Sequence, residues 1–360
     1  MINKLGISVY PAHSNYENDV IYLEKAAKLG YKRVFMCLLS ASVDMYDKFV
    51  KTIEKAHQLG FEISIDTNSE VFKLFGVSPK DLSKFKKMGI DIIRLDGPFS
   101  DYDYVLMTNN PYHIKIEFNG SSHLNLKYLL ELGANRNNMC VCANFYPLRY
   151  TGLSIEKYEE FNHQFINLGI NNAAFISSNA KNTFGPWPVA EGLPTIEDTR
   201  DLPIDDQLRL MMMIDGVNDV LIGNAYASDE ELSLLSNLNS DSIDFKLNSI
   251  DNISEDELHI LNDTLHIRRP DCGDYMIRSS LGRLNKNILI KAKPDSKEYF
   301  NIGDVLIVNH NCPHYEKELQ IVLKPFKNDG GRNIIGHLND FEMILVNKLK
   351  DNQKFNFRRI

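Results

Sequence analysis

A triplet of a polar residue, an apolar residue and glycine recurs along the first two thirds of the chain: Lys28-Leu29-Gly30, Gln58-Leu59-Gly60, Lys87-Met88-Gly89, Glu131-Leu132-Gly133 and Asn167-Leu168-Gly169. Each triplet follows a helix-like stretch and precedes an apolar run. Glycine ends helices because it enters the left-handed conformation at no steric cost. Ser78-Pro79 reads as a helix start, with serine at the cap and proline in the first turn. The apolar runs are Leu5–Tyr10, Val34–Leu39, Glu62–Asp66, Ile92–Asp96, Ile114–Phe118, Met139–Phe145, Ala173–Ser177 and Val220–Asn224. Strands alternating with helices imply a parallel sheet, and eight such units in roughly 250 residues imply an α/β fold of the (β/α)8 TIM-type barrel. An open doubly wound sheet is the alternative. No GxGxxG follows the first strand, which weakens a dinucleotide-binding version of it.

The pattern changes near Asn237–Ser242. Short β-like runs then dominate: Ile243–Leu247, Thr264–Ile267, Tyr275–Arg278, Ile288–Lys291, Val305–Val308, Leu319–Leu323, Ile334–His337 and Glu342–Val346, interrupted by one helix-like stretch, Glu255–Leu261. Closely spaced strands with Gly and Asn turns predict a small all-β barrel. The expected division is residues 1–238 for the catalytic barrel and 243–360 for the β-domain.

Charge narrows the partners. Lys and Arg number 40 against 48 Asp and Glu, a net charge of −8. A dedicated nucleic-acid binder usually shows a basic excess, so none is expected here. A phosphorylated ligand would need a local cationic pocket against this global field. No run reaches the ~18–20 apolar residues of a membrane span. The first ten residues, MINKLGISVY, carry no cleavage-site pattern of a signal peptide. Cys37, Cys140, Cys142, Cys272 and Cys312 show no CxxC spacing and read as reduced thiols of a cytoplasmic protein.

Side chains alternate along a strand, so each barrel strand has an inward and an outward set. In the third strand Ile63 and Ile65 alternate with Glu62, Ser64 and Asp66; in the fourth, Ile93 and Leu95 alternate with Ile92, Arg94 and Asp96. In the fifth, Ile114, Ile116 and Phe118 alternate with Lys115, Glu117 and Asn119. The apolar set belongs against the helices, which turns the polar set toward the barrel axis. Asp66, Asp96 and Glu117 are then expected together at the C-terminal mouth, with Arg94 and Lys115 one layer deeper. Asn144 and Tyr146 join from strand six, and Ser8 and Tyr10 from strand one. The C-terminal mouth is where barrel enzymes hold their chemistry. The alternative is an ion-pair network that merely fills the barrel.

Carboxylates on adjacent strands start about 5 Å apart at the backbone. Such a pair divides acid and base roles when one is pushed to a high pKa and the other is held ionised. Glycoside hydrolysis needs that division. Two other chemistries use the same residues. The acids could hold a divalent metal, but that mechanism wants a Lys or His base, and strand two offers only Phe35, Cys37 and Leu39. Lys115 could be the Schiff-base nucleophile of a lyase or aldolase; Glu117 and Asp96 would tend to keep it protonated.

The stretch 179–203 is long for a connection, and such loops are usually functional or disordered. It holds Trp187, the only tryptophan, either a platform for a sugar face or a plug over the mouth. It also holds Glu191, a fourth carboxylate. Arg149 can bind an anion bidentately or stay a solvated surface charge. Arg268, Arg269, Arg278 and Arg283 recur in the second region, where such a cluster forms either a phosphate site or salt bridges. His310 and His314 flank Cys312 without a fourth ligand for zinc.

Several segments together resemble the bacterial 6-phospho-N-acetylmuramidase family: LGISVY at 5–10, RLDG at 94–97, NFYP at 144–147 with TGLS at 151–154, Gly185-Pro186 with EGLPTIE at 191–197 and Arg200, DVLIG at 219–223, and YMIRS at 275–279. The resemblance implies a barrel joined to a cyclophilin-like β-domain. It implies a cytoplasmic hydrolase that cleaves N-acetylmuramic acid 6-phosphate–N-acetylglucosamine into its two sugars during cell-wall recycling. Asp96 and Glu117 are the expected acid and base-or-nucleophile pair, with Asp66 and Glu191 as alternates. Asn119, Asn144 and Tyr146 are expected to orient sugar groups, and Arg149, Arg200 or Arg278 to hold the phosphate and lactyl carboxylate. No metal or organic cofactor is expected, and a homo-oligomer is compatible with the chain. The rival from another class is a non-catalytic sugar-phosphate sensor.

Overall fold

Eight parallel strands close on themselves, each hydrogen-bonded to the next and the last to the first. The computed structural model describes residues 2–39, 41–189, 191–238, 241–294 and 297–360. The chain divides into two compact units, Met1–Leu238 and Asn239–Ile360.

The barrel strands are β1 (Lys4–Ser8), β2 (Arg33–Cys37), β3 (Glu62–Thr67), β4 (Ile92–Leu95), β5 (Lys115–Asn119), β6 (Met139–Cys142), β7 (Asn171–Ile176) and β8 (Asp219–Ile222). Helices α1 (Tyr16–Lys28), α2 (Tyr46–Gln58), α3 (Ser69–Leu74), α4 (Ser83–Lys87), α5 (Asp101–Thr108), α6 (Leu126–Glu131), α7 (Ile155–Ile166), α8 (Ile204–Met213) and α9 (Asp229–Ser236) connect them. Local chemistry sets their ends. Ser100 with Asp103, and Ser228 with Glu231, form reciprocal capping boxes. The glycines of all five triplets take positive φ, between 62° and 98°. Ser78-Pro79 does not start a helix. Ser78 bridges to Asp81 in a turn, and the helix begins at Ser83, whose backbone N–H is taken by the Asp81 carboxylate.

In the second unit the strands are β9 (Ile243–Ser249), β10 (His266–Ile267), β11 (Met276–Ser279), β12 (Tyr299–Phe300), β13 (Asp304–Val308), β14 (Leu319–Val322), β15 (Phe326–Lys327), β16 (Arg332–His337) and β17 (Lys354–Arg359). Seven of them form one mixed sheet in the order β10-β17-β9-β16-β13-β14-β11. It is nearly closed: past its two edge strands, Arg269 N–H donates to the Arg278 carbonyl at 3.0 Å. Helix α10 (Glu255–Asp263) lies where a helix was expected. Two expectations fail here. Ile288–Lys291 forms no strand. Glu342–Val346 is helical, inside α11 (Asp340–Lys348), because the Asn339 side chain caps the Glu342 N–H and a short apolar run fits either element.

Candidate active site

The inward sets of the barrel are divided by chemistry. One arc is apolar: Tyr10, Phe35, Cys37, Cys142, Ala173, Phe175 and Leu221 pack together with Leu193 and Ala225. The opposite arc, on β3 to β5, is polar. The predicted parity holds on these strands, but the heights differ from expectation.

At the N-terminal end, Glu62 accepts Lys4 Nζ at 2.7 Å and Lys115 Nζ at 2.8 Å. Burial works against the charge on Lys115, and the Glu62 carboxylate outweighs it, so its pKa lies above the ordinary lysine value. Lys115 is therefore a charged partner at the end of the barrel remote from the mouth, unsuited to Schiff-base chemistry.

One layer up lies a fully buried network around Arg33. Its Nη2 meets Glu117 Oε1 at 2.5 Å and its Nη1 meets Asp219 Oδ2 at 3.2 Å. Ser64 Oγ donates to Glu117 Oε2 at 3.3 Å. Glu117 is 0 % exposed and Arg33 2 %. This corrects the expected placement of Glu117 at the mouth. The strands of a barrel tilt and their register is staggered, so equal positions along neighbouring strands are not equal heights. Glu117 reaches down to Arg33. Gly6 makes room there: a Cβ on it would stand 2.8 Å from the Arg33 carbonyl oxygen and 3.2 Å from Arg33 Cβ. Cys140 and Cys142 line the same interior, and burial, reinforced by Glu117, pushes both thiols up and keeps them protonated.

The upper layer is Arg94 with Asp66 and Asn144. Arg94 Nη1 donates to Asp66 Oδ1 at 2.8 Å, and Nη2 donates to Asn144 Oδ1. Burial pushes the Asp66 carboxyl up to about 6; Arg94 pulls it down, and nearby Asp96 pushes it further up. Asp96 itself is exposed just past the end of β4, its backbone N–H on the Thr67 carbonyl at 2.7 Å. Asn119 is half-buried at the end of β5, and its Oδ1 accepts the Ser121 N–H at 2.9 Å. The structure thus brings Asp66, Arg94, Asn144 and Asp96 to the polar rim and leaves Glu117 beneath them.

The loop after β7 covers the apolar arc. Leu193 N–H donates to Ser177 Oγ, Thr195 Oγ1 donates to the Asn144 carbonyl, and Tyr146 N–H donates to the Pro194 carbonyl. Glu191 is exposed, and its carboxylate accepts the Arg149 N–H at 2.8 Å, which ties the loops after β6 and β7 together. Arg200 is 2 % exposed. It donates to Glu197 and to the carbonyls of Tyr146, Leu148, Glu191 and Gly192. Those bonds consume its donors, so it staples the loops after β6 and β7 and is not placed to hold a phosphate. Arg149 makes a bidentate pair with Asp201 on the surface. Trp187 is 39 % exposed on this loop, and the adjacent Pro186 carbonyl meets His13 Nε2 at 3.0 Å. Arg278 belongs to the second unit. Among the described residues no cluster of three His, Cys, Asp or Glu side chains is arranged for a metal ion, and no helix is long and apolar enough to cross a membrane.

A (β/α)8 barrel with a buried and an exposed carboxyl group at the C-terminal ends of neighbouring strands has the layout of a barrel enzyme. The chain belongs to the 6-phospho-N-acetylmuramidase family, a family of glycosidases: residues 5–237 match its N-terminal region and residues 243–358 its C-terminal region. It is similar to a solved structure of an uncharacterized B. cereus protein, with 37% identity, a TM-score of 0.90, and coverage of 99% of this chain and 100% of that one. A conserved Enterococcus faecalis protein of unknown function shares the fold at 22% identity and a TM-score of 0.70, covering 99% of this chain and 96% of that one. Among proteins of curated function, none matches.

Proposed function

We propose that this protein hydrolyses N-acetylmuramic acid 6-phosphate–N-acetylglucosamine to N-acetylmuramic acid 6-phosphate and N-acetylglucosamine, in the cytoplasmic recycling of bacterial cell-wall fragments. The observation that carries the reading is Asp66: a carboxyl raised to about 6 at the rim of the barrel, with an exposed carboxylate, Asp96, on the next strand. Asp66 is the general acid. It delivers its proton to the glycosidic oxygen as the bond to the anomeric carbon breaks. Asp96 stabilises the positive charge on that carbon, as nucleophile or as the base for the attacking water. Arg94 holds Asp66 in place through Oδ1. Asn119, Asn144 and Tyr146 orient sugar hydroxyls and the N-acetyl group, and Trp187 offers a flat apolar face. This assignment pairs Asp96 with Asp66 in place of the buried Glu117.

The test is mass spectrometry of the purified protein with the phosphorylated disaccharide, using the unphosphorylated disaccharide as control. The expected result is cleavage of the phosphorylated form, abolished by Asp66→Asn. Binding without cleavage would identify a sensor and overturn the reading.

A further inference from the structure

The second unit contains a cavity of about 210 Å³ whose lining includes Arg278, Tyr315, Glu318, Gln320 and Arg332. Its charges are wired in a chain. Glu318, 0 % exposed, takes Arg278 Nε at 2.7 Å and Nη2 at 3.0 Å, and also Gln320 Nε2 at 2.9 Å. Gln320 Oε1 in turn accepts Arg332 Nε at 2.8 Å. Arg283 adds a third guanidinium, 3.7 Å from Glu318. The Tyr315 ring backs two of them, with Arg278 5.7 Å and Arg283 5.2 Å from its centroid.

One bidentate arginine satisfies a buried carboxylate. Here two guanidiniums, Arg278 and Arg283, approach one carboxylate, and a third, Arg332, joins through Gln320. Arg332 also pairs with Asp329, whose side chain is 55 % exposed at the edge, where water screens it. The bonds above use Nε and Nη2 of Arg278, and Nε and Nη1 of Arg332. Nη1 of the first and Nη2 of the second remain for a ligand. The local cationic excess stands against a chain whose net charge is −8. Guanidiniums fixed in advance by Glu318, Gln320 and Tyr315 lose little freedom on binding.

We propose that this cavity binds a phosphate monoester. A dianion with three terminal oxygens meets several guanidiniums at once, whereas a carboxylate is satisfied by one. The cavity is smaller than the ~300–1,000 Å³ that encloses a drug-sized ligand, so it takes a phosphate group and not a whole disaccharide. The proposal stands on this cluster alone and does not depend on the glycosidase chemistry of the barrel.

Titration calorimetry on the full chain tests it, with inorganic phosphate, glucosamine 6-phosphate and glucosamine as probes. Phosphate and the phosphosugar are expected to bind and glucosamine to stay silent. Arg332→Gln should weaken phosphate binding about tenfold, the scale of one charge-assisted hydrogen bond, and Arg283→Gln, which removes a charge beside Glu318 but not a lining residue, should weaken it less, with thermal midpoints unchanged in both. Arg332→Lys should recover part of the loss. Arg278 is left intact because its removal strands the buried Glu318. Absence of phosphate binding, equal binding of glucosamine, or unchanged affinity in both glutamine variants would overturn the assignment.

Discussion

Replacing Glu117 by glutamine separates a reacting carboxylate from a structural one. Its partner Arg33 is 2 % exposed and holds Glu117 on one side and Asp219 on the other. Removing one member of a buried pair leaves an uncompensated charge and costs about 3–5 kcal/mol. Glutamine keeps the shape and one acceptor, and Asp219 still faces Arg33 at 3.2 Å. Those two features place the loss near the lower end, about 3 kcal/mol. In a unit of this length each kcal/mol moves the midpoint by about 2–4 °C, so thermal unfolding should start roughly 6–12 °C lower. Circular dichroism melts of Glu117→Gln, Arg33→Met and the double variant form the cycle. The double variant should recover at least half of the loss, since an apolar replacement of a buried pair is often neutral. Glu117→Gln with an unchanged midpoint and no turnover would refute the reasoning and return Glu117 to the chemistry.

Asp66 sets a pH dependence. A general acid works protonated, so kcat/KM should fall as pH rises through about 6, the value to which burial, against Arg94, lifts this carboxyl; Asp66→Asn should lose about 10²–10⁴-fold in rate. The native state holds this proton more tightly than the unfolded chain. Its contribution to stability is therefore present below the ordinary aspartate value and is lost as pH rises toward about 6; a flat pH–rate profile across that window would contradict the assignment. Arg200→Ala strands Glu197 and four carbonyl groups, and should cost about 3 kcal/mol while opening the 177–203 loop to limited proteolysis; an uncleaved loop would refute the staple. Lys115→Met should retain activity, and borohydride should trap no adduct; a substrate adduct on Lys115 would restore the lyase alternative. Trp187 is the only tryptophan, so disaccharide binding should shift its fluorescence; an unchanged spectrum at saturation would remove it as a sugar platform.

The barrel was legible because its signals are local. The glycine triplets mark five helix ends, and parity separates inward from outward residues on β3, β4 and β5. Height inside the barrel was not legible, since it depends on stagger between strands and on partners brought from across the axis. Two strand boundaries hid those partners. The apolar runs begin at Val34 and Val220, while the strands begin one residue earlier, at Arg33 and Asp219. A hydrophobic criterion trims a charged first residue, although Arg33 shares the inward parity of Phe35 and Cys37, and Asp219 that of Leu221. With Arg33 restored to β2, Glu117 acquires a buried partner, and the acid of the proposed mechanism becomes Asp66.

The same reasoning explains the loop residues. The EGLPT segment at 191–195 looks like site chemistry because it combines a carboxylate with a rigid turn. Its residues spend their polar groups on the barrel: Glu191 on the Arg149 N–H, Leu193 N–H on Ser177, and Thr195 on Asn144. Leu193 enters the apolar cluster, and Gly223 must lack a side chain because a Cβ there would stand 2.5 Å from the Leu193 carbonyl oxygen. The segment builds half of the mouth by closing it, which confines the open, polar half to β3, β4 and β5. In the proposed reaction, a sugar that enters therefore meets the polar wall of Asp66 and Asp96 opposite the apolar one that Leu193 completes.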